Sequence, residues 1–176
     1  MAYQIPASDP HAIFVAAEDF RLAYEALTLL PDSGADTLRT LVPQSVCAAF
    51  AIELYLKCIL VDAGAKTVPP SHNLLLLYQQ IPKTAKAAIT RQWRSVLKAW
   101  KAHDATVNLE SDLASILGEI AEAFEQCRYR FESPQTMLPD GRFTLVHASL
   151  HGYILEKHPD WRDEGHSYFP PTFRAL

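Results

Sequence analysis

Arg128, Tyr129, Arg130 and Glu132 stand together at the end of an apolar run, and this group has the residue types of an anion site. Alternate residues at a helix end point in different directions, so the two arginines cannot both be buried. One can pair with Glu132 or Glu125. The other can face a groove and bind a phosphate or carboxylate through its planar fork. The plainer reading is a solvated ion-pair network at a helix C-terminus, where cations are favoured. His72, next to Ser71, reads either as a polar group lining a cleft near Arg128 or as a capping, satisfied histidine. Glu53 and Lys57 are four apart in the favourable order on an apolar helix. They read as a binding pair or as a structural bridge that specifies packing more than it stabilises. His147 and His151 have the spacing of helical metal ligands. Metalloprotease sites add a Glu beside the first His, but Val146 and Ala148 stand there and no third ligand is evident, so no metal is expected. There is no Gly-rich phosphate loop and no Ser, His and acid set, so no cofactor is expected either.

The composition narrows the classes. Hydrophobic residues make up 49% and charged residues 20% of 176, enough to bury a core in one domain. The net charge of −4 excludes a broadly basic nucleic-acid surface and leaves room only for a local patch. Cys47, Cys58 and Cys127 are odd in number and lie in apolar helical runs, so they read as small core residues rather than disulfide partners. Met1 to Phe20 has no basic region ahead of an apolar run. The longest apolar stretch, 46–61, is interrupted by Glu53 and Lys57. No signal peptide and no membrane span are expected, which implies a cytoplasmic protein.

The elements that must position these residues are helices. Asp9 can cap a first helix with Pro10 at its first position, and Ile13, Ala17, Phe20, Tyr24 and Leu27 form its apolar stripe. Pro31 to Gly34 makes a turn. A second helix is predicted from near Pro43 to Asp62, with Gly64 just past its end. It is apolar on most sides, as a central bundle helix must be. Ser71 is expected to cap a short third helix holding Leu74, Leu77 and Tyr78, which Pro82 ends. A fourth, from about Thr84 to His103, carries Ile89, Trp93, Val96, Leu97 and Trp100 on one side. A fifth opens near Asn108 and runs through Leu113, Ile116, Leu117, Ile120 and Phe124 to Cys127. A last helix covers Phe143 to Lys157, with FTLVH readable as a short strand only as the weaker alternative. The fold class is therefore all-α, an antiparallel bundle of five to six helices over residues 1–158. The tail, 159–176, holds Trp161, Tyr168, Phe169 and Phe173 among prolines and is expected to pack on the bundle or a partner.

Three segments together resemble the HEPN family (higher eukaryotes and prokaryotes nucleotide-binding domains). AAFAIELYLKCIL is similar to the family's buried Glu–x–x–Leu–Lys helix, through Glu53, Leu56 and Lys57. SHNLLLLYQQIP resembles its His–x–Leu–x–x–Leu helix, through His72, Leu74 and Leu77. CRYRFE places Arg128 and Tyr129 where many members carry an Arg–Tyr pair. The resemblance spans roughly Phe14 to Tyr153. It implies a helical bundle, a two-fold dimer and, in nuclease members, an Arg followed four to six residues later by a His. That pairing suits metal-independent RNA cleavage, in which His takes the 2′-OH proton and Arg meets the developing phosphorane charge. The motif's spacing of about one turn sets both on one helical face. Arg128 and Arg130 have no His within six residues. Arg142 and His147 have the spacing but follow a Pro- and Gly-containing loop, past the expected position.

Three functions follow as expectations. The first is a HEPN-like homodimeric module without nuclease activity. It would bind a nucleotide, RNA or a partner protein such as an antitoxin in a groove near Arg128, with Tyr129, Arg130, His72, Glu53 and Lys57 around it. The second is a metal-independent endoribonuclease using Arg142 and His147, brought together across a dimer interface. The third is a structural dimerisation bundle, whose stability would not depend on any ligand.

Overall fold

The computed structural model describes residues 9–29, 35–103, 112–128 and 141–166. Among these the chain is almost entirely helical, without a β-strand. The helices are α1 (Pro10–Thr28), α2 (Ala35–Asp62), α3 (Leu74–Gln80), α4 (Lys83–His103), α5 (Leu113–Glu119), α6 (Ala123–Arg128) and α7 (Gly141–Lys157), followed by a 3₁₀ segment, Pro159–His166.

The helix α2 is the axis. Ala48, Ala49, Ala51, Ile52, Tyr55, Leu56, Cys58 and Ile59 are buried along it, and α1, α3, α6 and α7 all pack against it. Each large apolar side chain so buried contributes roughly 1.5–3 kcal/mol. That explains how a helix of mixed propensity runs straight through Pro43, although proline removes one rung of its ladder. The expected start at Pro43 is therefore eight residues late. The segment Thr40–Asp62 is long and apolar enough to cross a membrane, but 72% of its most apolar window is covered by the protein. Gly64 closes the helix at φ +94°, a conformation that favours glycine.

Local signals set the ends. The Asp9 side chain accepts the His11 N–H, with Pro10 in the first turn of α1. The cap of α3 differs from the expectation. Asn73, not Ser71, accepts the Leu76 N–H, at 2.9 Å, while the Ser71 hydroxyl accepts the Asn73 N–H. Ser71 thus fixes the capping residue rather than the helix. The expected single helix through Leu113 and Phe124 is two helices, α5 and α6, separated at Ile120–Glu122. The Ala121 carbonyl turns out of the break and accepts the Leu74 N–H at 2.9 Å. One orphan donor at the start of α3 is satisfied by interrupting a neighbouring helix. FTLVH is helical, inside α7. Of the tail, Trp161 stacks on His158, with ring centroids 4.0 Å apart, and lies against His11 and Phe14. Tyr168, Phe169 and Phe173 lie outside the described residues.

The Asn73→Ala variant is expected to lose about 1 kcal/mol, read as a drop of roughly 2–4 °C in Tm. Asn73→Ser should keep most of that stability. A Tm unchanged by Asn73→Ala would show that the cap does not hold α3.

Candidate functional site

The chemistry-bearing side chains gather where α1, α2 and α7 meet. Glu18 on α1 is buried against the core. A carboxylate in that position must find partners for both oxygens. Arg21, one turn on, donates Nε at 3.1 Å and Nη2 at 2.7 Å to Oε2. Tyr55 on α2 donates its hydroxyl to Oε1, and His151 Nε2 lies 3.5 Å from the same oxygen. The second arm of the guanidinium, Nη1, reaches Glu25 at 2.5 Å. Burial alone would push the Glu18 carboxyl up, but the bonds and charge of Arg21 outweigh it and hold the group below its ordinary value. Burial works against Arg21 too, and Glu18 overcomes it, so the guanidinium keeps its proton more firmly than usual. Burial, helped by the neighbouring Glu18 charge, lifts Tyr55 well above the ordinary phenol, so it remains a donor.

Above this cluster lies a cleft of about 480 Å³ between α1 and α7. Tyr24, Thr144, His147 and His151 line it together with Arg21 and Glu25. His147 is 3% exposed. Its Nε2–H donates to the Ala48 carbonyl at 2.8 Å, which leaves Nδ1 as the lone-pair nitrogen. Its ring meets Tyr24 and Tyr55 edge-on. Burial lowers the His147 pKa to about 4, against the Ala48 bond, and the Arg21 charge adds to the fall. Burial also lowers His151, against the pull of Glu18 and with the help of Arg21. Both imidazoles are therefore neutral at pH 7. The Tyr24 and Thr144 hydroxyls share a bond of 3.1 Å. The cleft offers neutral donors and acceptors, and its one guanidinium is already held by two carboxylates.

The residues singled out in the sequence are distributed over three places. Glu53, Lys57 and His72 do come together. The Glu53 carboxylate is fully buried, with Lys57 Nζ at 2.5 Å on one oxygen and His72 Nδ1 at 2.9 Å on the other. Both oxygens are occupied, and the His72 ring lies stacked on Phe124 of α6, 5.1 Å between centroids. This is a tie from α2 to the entrance of α3. Arg128 closes α6, but its side chain lies outside the described residues, as do Tyr129 and Arg130. Arg142 and His147 are five residues apart on α7, which turns them about 140° from each other. Arg142 pairs with Glu119 on α5 at 2.6 Å, while His147 points to α2. Within one chain they do not form the expected face. His147 and His151 share the cleft but turn to different partners. Among the described residues, no group of three or more His, Cys, Asp or Glu is placed to hold a metal ion.

Glu18, Arg21, Tyr24 and Tyr55 escaped the sequence reading. A signal was present: Arg21 falls four residues after Ala17 and three before Tyr24, on the apolar stripe itself. A cation there needs a buried acid within a turn, and Glu18 and Glu25 are the two choices.

Compared with family models, with curated proteins and with solved structures, the chain matches none.

The His147 shift has a consequence for stability. Its folded pKa of about 4 lies below the unfolded value of 6.5. The unfolded chain therefore binds the proton first as pH falls. Stability is full above the unfolded value and declines toward pH 4, by roughly 3 kcal/mol in all. His151 contributes in the same direction. Urea midpoints between pH 7 and 4.5 should fall less steeply for His147→Gln than for the wild type, because the amide still donates to Ala48 and cannot be charged. Parallel curves would contradict the assignment.

Proposed function

We propose that this chain is a HEPN-like helical module that binds a nucleoside, or the base at an RNA end, in the cleft between α1 and α7, and does not cut RNA. The observation that carries this reading is the state of Arg21. Its guanidinium is bonded to Glu18 and Glu25, so the three side chains together leave one negative charge. A phosphate would meet no free cation there. A nucleobase needs neutral donors and acceptors on a partly aromatic wall, and Tyr24, Thr144 and the two neutral imidazoles supply them. The volume of about 480 Å³ lies within the range of small-ligand pockets. A non-catalytic reading is supported by the separation of Arg142 from His147 and by the firm hold that Glu119 and the Ala48 carbonyl have on them. The family reading itself rests on the helix carrying Glu53, Leu56 and Lys57 and on its tie to His72. The expected cytoplasmic location agrees with it.

The test is a panel of nucleosides, nucleoside monophosphates and triphosphates, followed by melting temperature and equilibrium dialysis. A nucleoside at a hundred times its Kd should stabilise the protein by about 2.7 kcal/mol. Its triphosphate should bind more weakly, and Thr144→Val should lower the nucleoside affinity while the fold remains. A mixed RNA pool in EDTA should stay intact. Cleavage that both Arg142→Ala and His147→Gln abolish would replace this reading with the nuclease one. Tighter binding of triphosphates than of nucleosides would move the ligand out of this cleft.

A further inference from the structure

The most uneven charge in the molecule lies on α4, which neither the cleft nor the Glu53 tie uses. Six of the chain's 16 Lys and Arg are on this helix and none of its 20 Asp and Glu. The rest of the chain therefore carries 10 cations against 20 acids. At about 100° per residue, Lys83, Arg91, Arg94, Lys98 and Lys101 fall within a wedge of roughly 80°. They form one line of about 27 Å along the helix. All five are exposed. Ile89 and Trp93 are buried on the opposite side, where α4 packs against α7. Arg91 approaches Glu156 at 3.9 Å, with both side chains more than half exposed. Among the described residues Lys83, Arg94, Lys98 and Lys101 have no ion-pair partner.

We propose that this face of α4 is a docking surface for an acidic α-helix of a partner protein. The spacing decides for a helix. Arg91, Arg94, Lys98 and Lys101 follow a three-four-three rhythm, rises of about 4.5, 6 and 4.5 Å. Carboxylates on a second helix at the same intervals repeat those rises, so a straight partner lying alongside meets each cation in register. Ala87, within the line, and Ala102, at its edge, are exposed and let a neighbouring backbone approach closely. A nucleic acid fits less well. Trp93 is buried and Trp100 half-buried in the core, so no aromatic stands on the stripe to stack a base. Binding would then rest on a few phosphates alone. A second copy of this chain fits poorly too. Among the described residues no α-helix carries more than two exposed acids: Asp19 and Glu25 lie on α1, Glu119 on α5, Glu125 on α6 and Glu156 on α7, and Glu25 and Glu119 already hold Arg21 and Arg142.

The experiment uses the full chain and three labelled probes. One is an Ala-rich helical peptide of about 20 residues with four glutamates spaced as the four cations are. The second is its isomer with the glutamates adjacent. The third is a single-stranded RNA of similar length. Fluorescence anisotropy at low and physiological salt reads the affinities. The spaced peptide should bind at least about tenfold more tightly than its isomer and than the RNA. The double charge reversal Arg94→Glu, Lys98→Glu, at exposed positions, should remove that binding and leave the melting temperature unchanged. Equal binding of the two peptides would overturn the proposal, because charge without register would then suffice. So would tighter binding of the RNA, or no binding of any probe. A salt-sensitive dimer that the double variant abolishes, seen by sedimentation, would give the face to a second copy instead. None of these outcomes depends on nucleoside binding in the α1–α7 cleft.

Discussion

A carboxylate that is 3% exposed, Glu18, is the constraint around which α1, α2 and α7 are arranged. An unpaired charge in such a place would cost several kcal/mol. Each neighbour therefore has a defined task. Arg21 covers one oxygen with two donors, Tyr55 reaches across from α2 to the other, and His151 closes over it from α7. Hydrogen bonds to this one side chain tie α1 to α2, and the nearness of His151 brings α7 to the same point. The apolar packing of α2 supplies most of the stabilisation, but it is non-directional. The polar cluster fixes which way α1 faces and how far α7 approaches.

The same constraint sets the chemistry of the cleft. Because Glu18 needs Arg21, that guanidinium is not free for an anionic ligand. Burial lowers His147 and His151, and the Arg21 charge partly offsets the Ala48 bond on the one and the Glu18 charge on the other, which pull upward. The cleft is therefore a neutral hydrogen-bonding wall over an ion cluster. Its lining sets the hydroxyls of Tyr24 and Thr144 and the two imidazoles beside an Arg21 already bonded to Glu18 and Glu25. The second polar tie, Glu53 with Lys57 and His72, works differently. Its carboxylate is completely enclosed and both oxygens are occupied. It anchors the chain between α2 and α3 and offers nothing to a ligand through Glu53.

Helices with a clean stripe were readable from residue types alone. The α1 cap at Asp9 and Pro10, the end of α2 at Gly64 and the buried side of α4 all follow from local signals. The failures have a common physical origin in tertiary bonds. Nothing local says that the Ala121 carbonyl is needed by Leu74, so the break between α5 and α6 is invisible in a stripe that continues across it. Nothing local says that Asn73 rather than Ser71 carries the cap, since both have suitable side chains two residues apart. Pro43 reads as a helix start because its cost is local, whereas the packing that outweighs it is not. The site was half legible. The spacing of Glu53 and Lys57 and the nearness of His72 in type pointed to a cluster that exists. Arg142 and His147 lie about 140° apart on α7, and within one chain they turn to Glu119 and to the Ala48 carbonyl. The Glu18 cluster joins residues 37 apart on α1 and α2, and that distance hides it from any motif.

The central claim is that His147 is a neutral imidazole, protonated on Nε2 where it meets the Ala48 carbonyl. Long-range proton–nitrogen NMR spectra of the imidazole rings, recorded from pH 7 down to pH 5, test it directly. The account predicts a His147 signal of the Nε2–H tautomer that does not change over this range. A His147 ring that titrates near its ordinary value of 6.5, or that carries its proton on Nδ1, would contradict it.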